Sequence, residues 1–417
     1  MTHAPIDIIA AAIFAVALLH TFSAKAFERL AHRSKRHADL LHLLGEVEIV
    51  FGFWAMVLIV VMAMVVGGGA AIEYVESRHY TEPLFVFAIM VVAASRPVLS
   101  VVRNLVATLA RALPIRTPLA EVWLGLALVP LMGSLITEPA AMTLAALILL
   151  PKLFQGDLPE RYKYAALGVL FVNVSIGGTL TSYAAPPVLM VASTWGWDSA
   201  YMLQHFGWRA AVATVINATV LCWWIRNHVG TGNTSGHPTE APVPFVVSAV
   251  HLAFLAGIVA FAHHPVVFLG LFLFFIGYVQ AYPRHQSPLI LKEGLMVGFF
   301  LAGLVVLGGM QQWWLQPLVS GLSPTALFFG AVALTAITDN AALTYLGSLI
   351  DGISEAAKYM LVAGAVAGGG LTVIANAPNP AGVALLKGGF SDGAVGLGGL
   401  LLGALPPTAV AVVMFLV

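Results

Sequence analysis

Residues 136–143 read Ile-Thr-Glu-Pro-Ala-Ala-Met-Thr, and residues 337–344 read Ile-Thr-Asp-Asn-Ala-Ala-Leu-Thr. The two stretches are identical at five of eight positions and start 201 residues apart in a chain of 417. Each copy places one carboxylate, Glu138 or Asp339, inside an otherwise apolar segment. An ionisable residue in such a segment is costly to bury and indicates a functional site. The repeated stretch therefore predicts a duplicated structure with an acidic residue at the centre of each copy.

The composition indicates a polytopic membrane protein. The chain is 60% hydrophobic and 9% charged, with a mean hydropathy of +0.93, whereas about 25% of the residues in a soluble domain are charged. The formal net charge is zero, so we expect no nucleic-acid partner. The single cysteine excludes a disulfide framework. The expected partners are the lipid bilayer and small ions, without any cofactor.

Ten apolar segments are long enough to cross a bilayer, which takes about 20 residues: 5–28, 43–70, 83–110, 162–197, 207–226, 244–262, 265–283, 290–317, 356–388 and 393–417. Segments 118–153 and 323–352 contain the repeated stretches. In the second, the arms 324–337 and 341–351 would reach only ~20 Å and ~16 Å, short of a ~30 Å hydrocarbon core. This length predicts a re-entrant helical hairpin. The longer leading arm of the first segment makes the same interpretation weaker there.

A linker over 229–243, rich in Gly, Thr and Pro, divides the chain into repeats at 1–228 and 244–417. Each half then contains five spans and one hairpin, so the second half starts from the opposite side of the membrane. We therefore expect an all-α polytopic membrane protein with two inverted repeats, each with five transmembrane helices, a re-entrant helical hairpin and a broken helix. This organisation is typical of secondary transporters.

The placement of basic residues supports this topology. With residues 25–42 in the cytoplasm, 15 of the 19 Lys and Arg residues lie on or near that side, as the positive-inside rule requires. The exceptions are Arg78, Arg96, Arg209 and Lys358. The prediction is a cytoplasmic linker, with both termini extracytoplasmic.

A second repeated pattern follows each hairpin. Residues 177–181 read Gly-Gly-Thr-Leu-Thr and precede Ala-Pro-Pro at 185–187, and residues 368–372 read Gly-Gly-Gly-Leu-Thr and precede Asn-Ala-Pro-Asn-Pro at 376–380. Glycine runs and paired prolines do not continue a regular helix. We expect two helices broken near the middle of the membrane, where freed backbone groups must be buried or line a cavity.

The hairpin tips and broken helices would together form a site of oxygen ligands suited to a sodium-like cation. A carboxylate there could hold either a proton or a cation, because desolvation raises a carboxyl pKa and a nearby cation lowers it. The predicted proton- and cation-binding residues are Glu138, Asp339, Thr137, Thr338, Asn340, Thr181, Thr372, Asn376 and Asn379, with the two acids as the direct sodium ligands.

Other interpretations stay open at this point. Glu138 and Asp339 could cap helices, because an acid stabilises a helix N-terminus. Glu48 is either interfacial or, if its helix starts deeper, a proton relay. Arg96 is either a charge partner of Glu138 or Asp339, or an arginine that reaches the membrane surface at a helix break.

The broken-helix patterns resemble an element of the ion transporter superfamily, and the chain is most similar to its sodium/proton antiporter family, near the NhaD-type antiporters and arsenite pumps. The resemblance implies a homodimer in the bacterial inner membrane and adds Pro186 to the site. It implies a monovalent cation/proton antiporter working by alternating access. The alternative is an organic-anion or oxyanion transporter, of dicarboxylate or arsenite type, on the same scaffold; the superfamily's anion symporters carry Ser-Asn-Thr at the hairpin tips, which this chain lacks. An enzyme is disfavoured because the His-Glu-x-x-His and Gly-x-Ser-x-Gly motifs are missing.

Overall fold

The computed structural model describes residues 5–33, 37–155, 158–229 and 242–417, which form helices joined by turns, without any strand in these ranges. The predicted linker lies almost wholly outside the described residues. The division into repeats at 1–228 and 244–417 therefore stays a prediction.

The described part of the chain up to residue 229 contains thirteen α-helices. Their bounds are α1 (Pro5–Arg33), α2 (Ala38–Gly45), α3 (Val47–Val65), α4 (Gly68–Glu76), α5 (Thr81–Ala93), α6 (Arg96–Ala112), α7 (Thr117–Leu126), α8 (Leu128–Ile136), α9 (Glu138–Leu149), α10 (Glu160–Gly177), α11 (Pro186–Trp195), α12 (Ser199–Met202) and α13 (Trp208–Ile225). The first predicted hairpin corresponds to α8 and α9, and the first predicted broken helix corresponds to α10 and α11. A π-helical turn, Leu203–Gly207, makes α12 and α13 one continuous helix.

From residue 242 onward the same types of element recur. Their bounds are α14 (Phe245–Ala260), α15 (Pro265–Ala281), α16 (Leu291–Gly308), α17 (Gln312–Val319), α18 (Pro324–Thr335), α19 (Asn340–Ser348), α20 (Glu355–Gly368), α21 (Asn379–Leu386) and α22 (Leu397–Leu416). Short 3-10 turns at Gly178–Leu180 and Val373–Ala375 lie in the two predicted breaks.

The length and apolarity of the helices confirm an integral membrane protein. Six described segments are long and apolar enough to cross a bilayer, and up to eight if each bent pair counts as one span. The six are Pro5–Ser23, Glu48–Val65, Glu160–Leu180, Ser199–Ile225, Leu291–Gly308 and Leu397–Leu416. Shorter apolar helices, α14, α15 and α18, accompany them.

Two spans predicted as continuous are interrupted in their interior, and the predicted span 43–70 is shorter, since α3 covers only Val47–Val65. The segment 83–110 is not one helix, because α5 and α6 meet at a 62° bend. Ser95 is extended there (ψ 144°), and Pro97 lies in the first turn of α6, where a missing amide hydrogen does no harm. The segment 290–317 is likewise divided, since α16 ends at Gly308 and α17 begins at Gln312. The sequence predicts single spans because each segment is apolar over most of its length, although polar residues, Arg96 and Gln311, lie at the interruptions.

Both predicted hairpins are helix–turn–helix units. In the first, α8 and α9 are separated by Thr137 alone, and α7 joins α8 at a 43° bend. In the second, residues 336–339 separate α18 from α19. At 12 and 9 residues, α18 and α19 are each about 18 Å and 14 Å long, less than a hydrocarbon core. These lengths support the prediction of a re-entrant hairpin.

The hairpins and the broken helices of the two halves are interleaved. In each half the first arm of the hairpin packs against the helix before the break, α8 on α10 and α18 on α20. The second arms cross over: α9 packs against α21 and α19 packs against α11. A two-fold repeat would produce this exchange, although the inverted relation of the halves stays a prediction.

The helix α10 is the centre of this assembly, with nearly all of its residues buried. It contacts α22 through a close glycine pair, because a Cβ atom added to Gly168 would overlap the backbone of Gly403. One added to Gly403 would overlap the carbonyl oxygen of Tyr164. The two helices can approach this closely only without side chains at the crossing.

Replacing Gly168 by Ala should therefore destabilise the protein, by about 1–3 kcal/mol for an overpacked site. The melting temperature of the detergent-solubilised protein, followed by intrinsic fluorescence, is the measurement. Gly277→Ala is the matched control, since Gly277 lies in α15 with nothing within 4 Å of the added atom; its melting temperature should be unchanged or higher. Equal melting temperatures for the two variants would contradict the assigned α10–α22 contact.

Candidate functional site

The tip of the first hairpin has an unusual backbone conformation at Thr137, with φ 76° and ψ 150°. It is the one non-glycine residue with positive φ among the described residues. A β-branched residue is strongly disfavoured there, at a cost of about 1–3 kcal/mol. The side chain is 2% exposed, and its hydroxyl has no hydrogen-bond partner. This conformation turns the chain sharply, so that α9 begins at the next residue, Glu138.

Glu138 is completely buried between the two broken helices. Its Oε2 accepts a hydrogen bond of 2.9 Å from Nδ2 of Asn376, in the second break. Its Oε1 has no partner and lies against Gly178 of the first break, where a Cβ atom would come within 2.5 Å of it. Gly178 is therefore needed to make room for the carboxylate. The first hairpin acid thus contacts both breaks.

Asp339 is the N-cap of α19 and is half-buried. Its Oδ1 accepts hydrogen bonds from the amides of Ala341 (2.8 Å) and Ala342 (3.1 Å). The capping interpretation is therefore confirmed for Asp339, and it leaves Oδ2 available for a ligand. Asp339 is also within electrostatic range of Glu138 and Glu48, and a bound cation or proton would relieve the repulsion between ionised carboxylates.

The threonines of the breaks hold the hairpins in place. Thr181 Oγ1 donates to the carbonyl of Ser134 at 2.7 Å, and Thr372 Oγ1 donates to the carbonyl of Ala336 at 2.9 Å. The two bonds are equivalent in the two halves, each joining a break to the first arm of its own hairpin. A hydroxyl that donates its hydrogen keeps oxygen lone pairs for a cation, so the ligand role of these residues stays a prediction.

Three predicted asparagines are buried at the same place, each at most 1% exposed. Asn379 Nδ2 donates to the carbonyls of Gly369 (2.8 Å) and Thr372 (2.9 Å), which spans the second break. The Oδ1 atoms of Asn340, Asn376 and Asn379 have no partner, and neither does Asn340 Nδ2. Together with Thr137 Oγ1 and Glu138 Oε1, they make five buried oxygens without a donor. Such groups require explanation, and a hard cation, which takes oxygen ligands, would supply one.

The remaining predicted residues are less closely connected to this cluster. Thr338 Oγ1 donates to the carbonyl of Leu334, in the hairpin arm that precedes it. Pro186 is the first residue of α11. Arg96 is the half-buried first residue of α6, directly after the 62° bend, and its predicted pairing with Glu138 or Asp339 stays a prediction. Glu48, one residue into α3, lines a small cavity with Asp339.

Two polar residues that support the site were missed by the sequence reasoning. Ser134 Oγ donates to the carbonyl of Gly177 (2.7 Å) and accepts from the amide of Leu180 (2.9 Å), which stabilises the start of the first break. Asn173 Nδ2 donates to the carbonyl of Leu126, which is freed at the 43° bend. A lone Ser or Asn in an apolar helix was the available signal, because such residues need a polar partner when buried.

This arrangement defines a class of protein, an integral membrane protein that encloses acidic and amide side chains between broken helices. A family model described as "Putative Na+/H+ antiporter" matches residues 5–417, nearly the whole chain. The chain therefore belongs to this Na+/H+ antiporter family. The match supports a cation/proton antiporter, a transporter rather than an enzyme, without distinguishing an NhaD-type or arsenite-pump-like subgroup. No curated protein matches the chain.

Replacing Thr137 by Gly should remove both the backbone strain at the hairpin tip and the buried hydroxyl, which have opposite expected effects on stability and on transport. Glycine adopts positive φ without strain, so we expect an equal or higher melting temperature. We also expect at least a tenfold lower sodium-dependent proton flux in sealed vesicles, because a buried hydroxyl is lost from the site. Thr137→Ala keeps the strain and removes the hydroxyl, so it should lose flux without the gain in stability, whereas Thr137→Ser should keep most of the flux. Wild-type flux in Thr137→Gly would contradict a ligand role for the hydroxyl.

Proposed function

We propose that this protein is a secondary active antiporter that exchanges sodium, or a similar monovalent cation, for protons by alternating access. The observation that carries the proposal is the cluster of buried oxygens without donors around Glu138 and the breaks, near a second acid on the other hairpin. Glu138 and Asp339 would carry the proton or the cation, and the threonine and asparagine oxygens would act as neutral ligands. The family membership of the chain supports the reaction class.

The interleaving of the halves supports a rocking mechanism. The hairpins and broken helices of the two halves pack on one another as one unit, so a movement of this unit against the remaining helices of the repeats would open the carboxylates to one side and then to the other. Asn379 binds freed carbonyls of the second break, and Thr181 and Thr372 tie the two breaks to the hairpins, which would keep the site intact during that movement.

The organic-anion alternative is less well supported. Among the residues that the structure describes, no Lys or Arg lines the small cavity beside Glu48 and Asp339, and an anion beside these acids would be repelled.

We further propose that the protein is a homodimer in the bacterial inner membrane, with both termini extracytoplasmic and Na⁺ and H⁺ as the transported ions.

The capping and transport roles of Asp339 can be separated experimentally. Asn and Ser cap helices as well as Asp does, whereas Ala costs about 0.5–2 kcal/mol. Asp339→Asn and Asp339→Ser should therefore keep the melting temperature of the wild type and lose sodium-dependent proton flux, and Asp339→Ala should lose both. Flux would be measured with a pH-sensitive dye in sealed vesicles after addition of NaCl.

Ser323→Ala is the matched control, because Ser323 caps α18 by accepting from the amide of Ala326 at 3.2 Å and has no place in the site. It should lose a similar amount of stability and keep its flux. Wild-type flux in Asp339→Ser would show that this acid acts only as a cap. Exchange retained in Glu138→Gln combined with Asp339→Asn would refute the proposed mechanism.

A further inference from the structure

A small cavity of about 30 Å³ lies beside Asp339, apart from the enclosed carboxylate of Glu138. Three polar residues from three separate elements line it: Glu48 of α3, Asp339 at the start of α19, and Asn376 in the second break. The rest of the wall is apolar and includes Val297 and Phe300 of α16. The volume is enough for about one water molecule, so an organic substrate or a fully hydrated ion would not fit.

The packing of α3 along α16 places Glu48 at this cavity. Lys292, at the start of α16, forms a 3.3 Å ion pair with Glu46, at the start of α3. Further along, a Cβ atom added to Gly303 would overlap the backbone at Gly52, so the two helices run side by side in the same direction. Glu48 therefore lies level with Val297 on the adjacent helix, and both line the cavity.

The oxygens available in the cavity follow from the hydrogen bonds already made. Asp339 Oδ1 is occupied by the amides of Ala341 and Ala342, which leaves Oδ2. Asn376 Nδ2 donates one N–H to Glu138, and Asn376 Oδ1, on a side chain that is 1% exposed, has no partner. Glu48 adds a second carboxylate. Among the described residues, no Lys or Arg lines the cavity to neutralise the two acids. The groups available to a ligand are therefore carboxylate and amide oxygens, and their charge is negative.

We propose that Glu48, Asp339 and Asn376 form the binding site of a single dehydrated monovalent cation, Na⁺, separate from the carboxylate of Glu138. This inference rests on the proposed antiport function and assigns the cation to one of its two acids. Asn376 joins the two carboxylates, because its amide group donates to Glu138 and presents its oxygen to the cation. Glu48 is then a direct cation ligand rather than an interfacial residue.

Binding of Na⁺ to the purified full-length protein tests the assignment without relying on transport. NaCl would be titrated into the protein in a calorimeter, with choline chloride as the control salt. Glu48→Gln should weaken the apparent Na⁺ affinity at least tenfold, because one carboxylate ligand is lost. Val297→Ile keeps every charge and places one more methylene in the cavity, so it should weaken binding similarly. Glu293→Gln is the matched control, since Glu293 is an exposed acid on α16 that does not line the cavity, and its affinity should be that of the wild type.

The possible outcomes distinguish this inference from the function on which it rests. If Glu48→Gln and Val297→Ile both bind Na⁺ with wild-type affinity while Asp339→Asn loses binding, Glu48 is not a cation ligand. That result would leave the proposed role of Asp339 in place. Tighter binding of Mg²⁺ or Ca²⁺ than of Na⁺ would overturn the assignment to a monovalent cation. An absence of sodium-dependent proton flux in wild-type vesicles would instead refute the antiport function. A melting curve for each variant verifies folding, and Val297→Ile tests the cavity even if Glu48→Gln fails to fold.

Discussion

The hydrogen bond between Asn376 and Glu138, at 2.9 Å, joins the second broken helix to the first hairpin. A buried carboxylate without donors is very costly, so Glu138 can occupy this position only because the opposite half supplies the amide. Several surrounding residues hold the two elements in the positions that this hydrogen bond requires. Gly178 leaves room for the carboxylate, Thr181 and Thr372 hold the hairpins against the breaks, and Asn379 bridges the second break. The two halves are therefore joined at the atoms that would carry out exchange.

The site also contains a strained backbone residue and buried polar atoms that lack hydrogen-bond partners. Thr137 adopts a backbone conformation that suits glycine, and five buried oxygens in the cluster lack a donor. Native proteins keep few such groups, and those that persist collect at functional sites. Close packing elsewhere, such as the contact of α10 with α22 through Gly168 and Gly403, provides the stability that permits these features. A cation in the adjacent cavity would coordinate one of these oxygens, Oδ1 of Asn376.

Much of the fold was predictable because its signals are local. Glycine runs and paired prolines predicted both breaks, which appear as short 3-10 turns between helices. The repeated stretch predicted a turn between two short helices in each half, as at Thr137 and at 336–339. The continuous span over 83–110 was wrong, because the helix bends by 62° at 94–95, between the apolar α5 and an amphipathic α6 that carries Arg96 and Arg103. Ser134 and Asn173 were missed, since their importance lies in the carbonyls that they reach, 43 and 47 residues away.

The sequence by itself determined the class of protein, the positions of the apolar helices and the two duplicated acids, because composition and local pattern decide whether a segment can be buried in a membrane. Only the tertiary structure decided the partners of those acids, which the sequence treats as equivalent. Glu138 is enclosed and held by Asn376, whereas Asp339 caps α19 and faces a cavity with Glu48. The physical reason is that hydrogen bonds and cavities depend on the distances between elements far apart in the chain. A repeat in sequence therefore predicts two sites of similar chemistry, and the packing around each one makes them different.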